Sequence, residues 1–183
     1  MSDSVINPVL GMYKHRGQTI NQFGLDDTGL VEYRFNQQGF RSNRDFDFVP
    51  DWAFFGNSFV GGIGVSIEQT FASKFDNSQN YGVFGTYTNH TIQNIILRFL
   101  KSKLFSPQTK IAVFWTNRDS EVLETYYQEL CHLDIKFFFC GSPLLRPRCY
   151  RVIPNLDSDV SGTHMGPKTH EFLYRALCQI YNL

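Results

Sequence analysis

Short, uninterrupted apolar segments alternate with amphipathic segments over most of this chain, and this alternation limits its fold more than any other feature. The apolar segments are residues 52–55, 81–84, 111–115 and 135–139. A strand that is apolar throughout is typical of a central parallel strand, because helices cover both faces of such a sheet. The segments between them place apolar residues at helical spacing, as at Ile92, Ile95, Ile96, Phe99 and Leu100. The sequence therefore predicts an α/β protein, with three α/β/α layers around a central parallel sheet.

The chain divides into a polar leader and a regular domain. Residues 1–50 are rich in Asn, Gln, Gly, Arg and Asp, which predicts a loop-rich leader packed on the domain, with a short strand at residues 31–35. Residues 51–183 carry the alternating pattern, and the 183 residues suit a single domain overall. The other expected elements are a helix after the capping-box spacing Ser66-x-x-Gln69, helices over residues 120–133 and from Pro167, and a short strand at residues 150–153.

The composition disfavours several classes of protein. Lys and Arg together number 17, as do Asp and Glu, so net charge favours neither nucleic acid nor an anionic membrane. No segment approaches the roughly 20 apolar residues of a membrane span, and the first residues lack the pattern of a signal peptide. The four cysteines have no CxxC spacing, which favours reduced thiols over a zinc site. We therefore expect a cytoplasmic protein without nucleic-acid or membrane partners.

Short blocks with polar residues or glycines follow the predicted strands or precede the last helix. They are Gly56-Asn57-Ser58, Gly82-Val83-Phe84-Gly85, Trp115-Thr116-Asn117 and Thr163-His164-Met165. The carboxyl ends of parallel strands meet at one edge of a sheet, where ligands bind. A serine, a glycine, an asparagine and a histidine gathered there could supply the nucleophile, the oxyanion donors and the general base of acyl transfer. A phosphate loop is disfavoured, because no Lys-Ser/Thr pair follows Gly61.

The order of these blocks resembles that of the SGNH hydrolases, the family of GDSL-type esterases and acyltransferases. The family's first block is usually Gly-Asp-Ser, and here it reads Gly56-Asn57-Ser58. The stretch Asn36-Gln37-Gln38-Gly39-Phe40-Arg41 is similar to the Asn-x-x-Gly-Phe-Arg leader of one branch of the family. The resemblance runs from about residue 36 to residue 177 and implies the flavodoxin-like SGNH hydrolase fold.

The resemblance also implies roles for individual residues. Ser58 would be the nucleophile and His164 the base. The backbone N–H groups of Ser58 and Gly85 and the side chain of Asn117 would form the oxyanion hole. Two further residues have supporting roles in this scheme, and they are the structural glycine Gly82 and the helical, hydrogen-bonded His170.

The group that orients His164 stays open at this point. The family normally has Asp three residues before this histidine, and this chain has Ser161 there. Asp159, Asp157, Ser161 and a backbone carbonyl are the alternatives for holding the imidazole in the required tautomer.

The activity implied by the resemblance is that of a serine esterase or acyltransferase. It would act on an O-acyl ester, a small molecule or an acylated carbohydrate, without a metal or an organic cofactor. An acylated carbohydrate is favoured because the branch with this leader includes members that act on carbohydrates. Asn57 and Ser161 depart from the family's pattern, so the alternative is a catalytically weakened module that binds a glycan or a partner. A flavodoxin-like nucleotide binder is a third hypothesis, and it lacks a recognisable phosphate loop.

Overall fold

The computed structural model describes residues 17, 19–22, 31–84, 89–116, 130, 133, 135–140, 151–152, 156–157 and 164–183. Its strands are β1 (Thr19–Gln22), β2 (Val31–Arg34), β3 (Trp52–Gly56), β4 (Ser78–Gly82), β5 (Lys110–Thr116), β6 (Ile135–Cys140) and β7 (Arg151–Val152). Helices among these residues are α1 (Ser58–Gly61), α2 (Asn89–Leu100) and α3 (Pro167–Ile180), with 3₁₀ helices at Ile67–Gln69 and Ala72–Lys74. None of the helices in the described part of the chain is long and apolar enough to cross a membrane.

The central sheet has five strands in the order β4-β3-β5-β6-β7, and each neighbouring pair is parallel. Counted within this sheet alone, the order is 2-1-3-4-5, which is a doubly wound arrangement. The sequence of strands changes direction between β3 and β5, and ligands bind at such a switch point. A separate antiparallel hairpin joins β1 to β2. The predicted α/β class with a parallel sheet is confirmed.

Helices cover both faces of this sheet, as the apolar strands require. All five residues of β3 are buried. Ala53 and Phe55 face one side and join a core cluster with the apolar residues of α2. Trp52 and Phe54 belong to a second cluster, which also contains α1 residues and Leu173 and Leu177 of α3. Side chains that alternate between the two faces of a strand therefore build two cores, one on each side.

The leader contributes side chains to these cores. Phe40 and Phe46 pack against Tyr81 of β4, with ring centroids 5.0 Å away in each case. The buried residues of β2 and the residue after it form a smaller cluster with Phe84. The leader therefore shares its apolar surface with the α/β domain.

β4 differs from its expected position, because it begins at Ser78 and ends at Gly82 rather than covering residues 81–84. Its first residues are polar, so a pattern of consecutive apolar residues does not predict the beginning of this strand. Gln79 is nevertheless fully buried: its Nε2 donates to the carbonyl of Phe48 at 2.8 Å, and its Oε1 accepts from the hydroxyl of Tyr81. A buried amide with its hydrogen bonds made is tolerated inside a strand.

The helix expected after Ser66 is a pair of 3₁₀ helices. The capping box predicted for Ser66 and Gln69 is present. Thr70 has extended backbone angles, φ −69° and ψ 145°, which end the first turn. Its Oγ1 donates to the carbonyl of Ile67 at 2.7 Å and accepts from the N–H of Ser73 at 3.3 Å, so it also begins the second turn. A side chain that bonds its own backbone competes with a continuous helix.

The remaining expected elements are described to different extents. Of the helix expected over residues 120–133, the described residues are Leu130, which is helical and buried, and Leu133. The strand expected at residues 150–153 corresponds to β7, which pairs with Phe138 and Phe139 of β6. α3 begins at Pro167 as expected, with proline at the first helical position.

Candidate active site

Glycines at the ends of β3 and β4 determine where Ser58 lies. A Cβ atom on Gly56 would stand 2.4 Å from Cγ2 of Val60, and one on Gly82 would stand 2.2 Å from the backbone nitrogen of Gly61. Neither position leaves room for a side chain, so α1 can pack directly on the strand ends. This close approach agrees with the structural role expected for Gly82. Ser58 thus lies just past the carboxyl end of β3, beside the switch point of the sheet.

Asn57 caps the helix that carries Ser58. Its backbone is extended, and its Oδ1 accepts a hydrogen bond from the N–H of Phe59 at 3.2 Å. An aspartate oxygen at this position would accept the same bond, since Asn and Asp are comparable N-caps. Asn57 therefore makes the local hydrogen bond that an Asp at this position would also make.

The carbonyls of α1 depend on donors outside the helix, because four residues form no regular helix interior. The N–H groups of Gly62 and Ile63 turn back to the carbonyls of Phe59 and Ser58, at 3.0 and 3.1 Å. Asn80 of β4 reaches the carbonyl of Val60 with its Nδ2, at 2.7 Å, and accepts from the N–H of Gly82 at 2.9 Å. Asn80 therefore ties the end of β4 to the helix of Ser58.

Arg41 of the leader supplies the next donors. Its Nη1 donates to the carbonyls of Gly62 and of Gly61, the latter at 3.4 Å, and its Nη2 donates to the carbonyl of Val65 at 2.8 Å. Nη2 also reaches the carbonyl of Glu32 in β2, at 3.2 Å. The side chain is almost fully buried, and this burial lowers its pKa to about 10, so it remains a cation near neutral pH.

The leader motif is a tight turn that brings Arg41 to this position. Oδ1 of Asn36 accepts from the N–H of Phe40 at 2.9 Å, and the carbonyl of Asn36 accepts from the N–H of Gly39 at the same distance. Gly39 has φ +83°, a conformation that side chains disfavour. Phe40 then enters the core, and Arg41 turns to the segment after α1. Arg41 is part of the leader motif, but nothing in the sequence indicates that Arg41 and Asn80 bind backbone carbonyls of α1 and of the residues after it.

The fold brings Ser58 and His164 into contact. Oγ of Ser58 and Nε2 of His164 are 3.1 Å apart, although the two residues are 106 positions apart in the chain. Both are partly buried. A hydroxyl within hydrogen-bond distance of an imidazole nitrogen is the geometry of a nucleophile beside its general base. The two residues predicted as nucleophile and base thus form a pair.

Asp157 binds the first turn of α3 with its carboxylate. Its carboxylate accepts from the backbone N–H of Lys168 at 2.8 Å, and from the N–H and Oγ1 of Thr169 at 2.8 and 2.7 Å. Partial burial acts to raise the pKa of Asp157, but the hydrogen bonds from Thr169 and Lys168 outweigh it and lower the pKa below its usual value. The Asp157 carbonyl also accepts from the N–H of Gly166 at 3.1 Å. Asp157 therefore fixes the beginning of the helix that follows His164.

His170 is buried within α3, close to the residue that follows Ser58. Its ring stacks on those of Phe59 and Phe71, with centroids 5.1 and 5.7 Å away, and its Nδ1 accepts from the N–H of Phe71 at 3.3 Å. Its Nε2 has no hydrogen-bond partner among the residues that the structure describes. Burial is the main cause that lowers its pKa to about 4, so the ring is neutral near neutral pH. This position agrees with the supporting role expected for it.

The other predicted site residues, Gly85, Asn117, Asp159 and Ser161, lie outside the described residues. In the chain, Asn117 directly follows β5, which is the neighbour of β3 in the sheet. Their roles remain predictions.

Comparison of the chain with protein-family models and with curated proteins found no match. What bears on function is therefore the chain's own architecture. Three features matter most: the parallel sheet with its switch point, the position of Ser58 directly after β3, and the contact of Ser58 with His164.

Proposed function

We propose that this protein is a serine ester hydrolase of the SGNH type, acting on an O-acyl ester. The observation that carries the proposal is the 3.1 Å contact between Oγ of Ser58 and Nε2 of His164. A serine hydroxyl is a weak nucleophile unless a neighbouring base takes its proton. The location past the end of β3, beside the switch point, supports the proposal because ligands of doubly wound sheets bind there.

The proposed reaction forms an acyl-enzyme. Oγ of Ser58 attacks the ester carbonyl carbon while Nε2 of His164 accepts the hydroxyl proton. The backbone N–H groups of Ser58 and Gly85 and the side chain of Asn117 are the proposed donors to the oxyanion. His164 then returns the proton to the oxygen of the departing alcohol, and the acyl group stays on Ser58. Water, deprotonated by His164, attacks the acyl-enzyme and releases the acid; a sugar hydroxyl in place of water would make the reaction an acyl transfer.

The proposed substrate is a small-molecule ester or an acylated carbohydrate, and the leader motif favours the carbohydrate. Nucleophile and base both come from the chain, so this reaction needs no metal or organic cofactor. The N-cap hydrogen bond of Asn57 supports an active protein, because this departure from the family's Asp leaves the helix of Ser58 capped. If Ser58 proved unreactive, the alternative of a binding module with weakened catalysis would be favoured.

The test is labelling with a fluorophosphonate probe, together with a panel of short-chain aryl esters and acetylated sugars. The matched variants are Ser58→Ala and Ser106→Ala; Ser106 precedes the amino end of β5, whereas Ser58 follows the carboxyl end of β3. We expect the parent and Ser106→Ala to be labelled and to hydrolyse at least one ester, and Ser58→Ala to do neither. A folded parent protein that neither reacts with the probe nor cleaves any ester would refute the proposal.

A further inference from the structure

The helix that carries the proposed nucleophile is held from outside. α1 has four residues, too few for a helix to be stable by its own hydrogen bonds. Each carbonyl from Ser58 to Gly62 nevertheless has a donor. Two of these donors are backbone N–H groups of the next turn, one is the Asn80 side chain, and the rest come from Arg41. The conformation around Ser58 therefore depends on side chains from β4 and from the leader.

Arg41 is linked to Ser58 through two peptide groups. It donates to the carbonyl of Gly62, and the N–H of that same peptide, which belongs to Ile63, donates to the carbonyl of Ser58. It also donates to the carbonyl of Gly61, and the N–H of that peptide, which belongs to Gly62, donates to the carbonyl of Phe59. A rotation of either peptide would break a hydrogen bond on each side. The guanidinium thus fixes the two peptide planes at the carboxyl end of α1.

The chemistry of arginine suits this task better than that of lysine. The planar guanidinium presents a rigid set of donors, and it binds four carbonyls, those of Glu32 in β2 and of Gly61, Gly62 and Val65 at and after the end of α1. It lies over the ring of Tyr33 at 4.2 Å from the centroid, which restricts its plane. A cation at the carboxyl end of a helix also interacts favourably with the partial negative charge there. A lysine ammonium could meet only part of these acceptors.

We propose that Arg41 is a positioning residue for catalysis, which holds Ser58 in the orientation that places its Oγ against His164. The inference rests on the proposed ester-hydrolase function and adds a residue that acts on Ser58 through the backbone at the carboxyl end of α1. Loss of the guanidinium frees the peptides of Gly61 and Gly62, so Oγ of Ser58 spends less time in line with Nε2 of His164. Misplacement of a reacting group by about 1 Å can reduce a rate by about 10²-fold. We therefore expect kcat to fall and KM to change little.

The experiment compares Arg41→Met and Arg41→Lys with a matched control, Arg44→Met. Arg44 belongs to the same leader, but it is exposed and lies over the ring of Phe48, 3.9 Å from the centroid. For each protein we would measure kcat, KM and the rate of fluorophosphonate labelling, at a temperature well below its own Tm. Arg41→Met should lower kcat and the labelling rate by roughly 10–100-fold with KM within about threefold. Arg41→Lys should be intermediate, and Arg44→Met should match the parent.

The outcomes separate this inference from the proposed function. A merely structural Arg41 would lower Tm and leave kcat and the labelling rate of the folded protein unchanged, and that result in both Arg41 variants overturns the inference alone. If Arg41→Met does not fold, the same comparison is made with Arg41→Lys. A parent protein that is neither labelled nor active refutes the proposed function, and the inference with it.

Discussion

Acidification should destabilise this protein through the buried His170. Burial is the largest cause of its low pKa, which falls from 6.5 to about 4, with Asp157 acting to raise it and Arg41 and Lys74 acting to lower it. Because the pKa is lower in the folded protein, the unfolded chain takes up a proton first as the pH falls. The stabilisation is therefore complete above about pH 6.5 and is lost as the pH falls toward 4.

The magnitude follows from the separation of the two pKa values. Each pH unit between them corresponds to about 1.4 kcal/mol, so the complete effect is about 3 kcal/mol. At about pH 4.5, most of that stabilisation, roughly 2–3 kcal/mol, is already lost. Since a domain is typically stable by about 5–15 kcal/mol, such a loss is a large fraction of the free energy of unfolding.

The assay is urea unfolding near pH 7.5 and near pH 4.5 for the parent, His170→Gln and His90→Gln. Glutamine does not titrate, and its amide oxygen is able to accept the hydrogen bond that Phe71 donates to His170. His90 is an exposed residue of α2 and serves as the control. The parent and His90→Gln should lose roughly 2–3 kcal/mol more on acidification than His170→Gln does. Equal losses in all three proteins would show that His170 does not carry the pH dependence.

Three further predictions concern the site. Ser58→Ala and His164→Ala should each reduce ester hydrolysis by roughly 10³-fold or more, and the double variant should be little worse, because the pair acts as one unit in steady-state kinetics. Asp157→Ala should lower the free energy of unfolding in urea by about 1 kcal/mol through loss of its bonds to Thr169, whereas a large fall in kcat would instead assign it the orientation of His164. Asn117→Ala should lower kcat by about 10²–10³-fold at nearly constant KM, and a lower Tm with parental kcat would mark it as structural.

Most of the sheet could be predicted because its strands are apolar on both faces. β3, β5 and β6 read as continuous apolar segments, and each observed bound differs from the expected one by at most one residue. The beginning of β4 could not be read in this way, since Gln79 is polar and its burial depends on partners in the leader and on Tyr81. The break at Thr70 likewise depends on hydrogen bonds of one side chain with its own backbone.

The candidate site could be predicted only as far as its residue types and order. The pairing of Ser58 with His164 joins parts of the chain that no local pattern connects, and the resemblance to SGNH hydrolases was what suggested it. Arg41 belongs to the leader motif, but the motif does not show what Arg41 binds, and the partners of Arg41 and Asn80 are backbone carbonyls. Every residue has a carbonyl, so the identity of the acceptor leaves no trace in the sequence.

The contacts of the leader bear directly on how the site is maintained. Phe40 lies in the core against Tyr81, and the next residue, Arg41, binds the segment after α1. Asn36 holds both in place through the turn at Gly39. One short motif thus fastens the leader to the sheet with an apolar side chain and to the helix of Ser58 with a charged one. The orientation of the proposed nucleophile is therefore coupled to the packing of the leader. A substitution that loosens the packing of Phe40 should also disturb the orientation of Ser58.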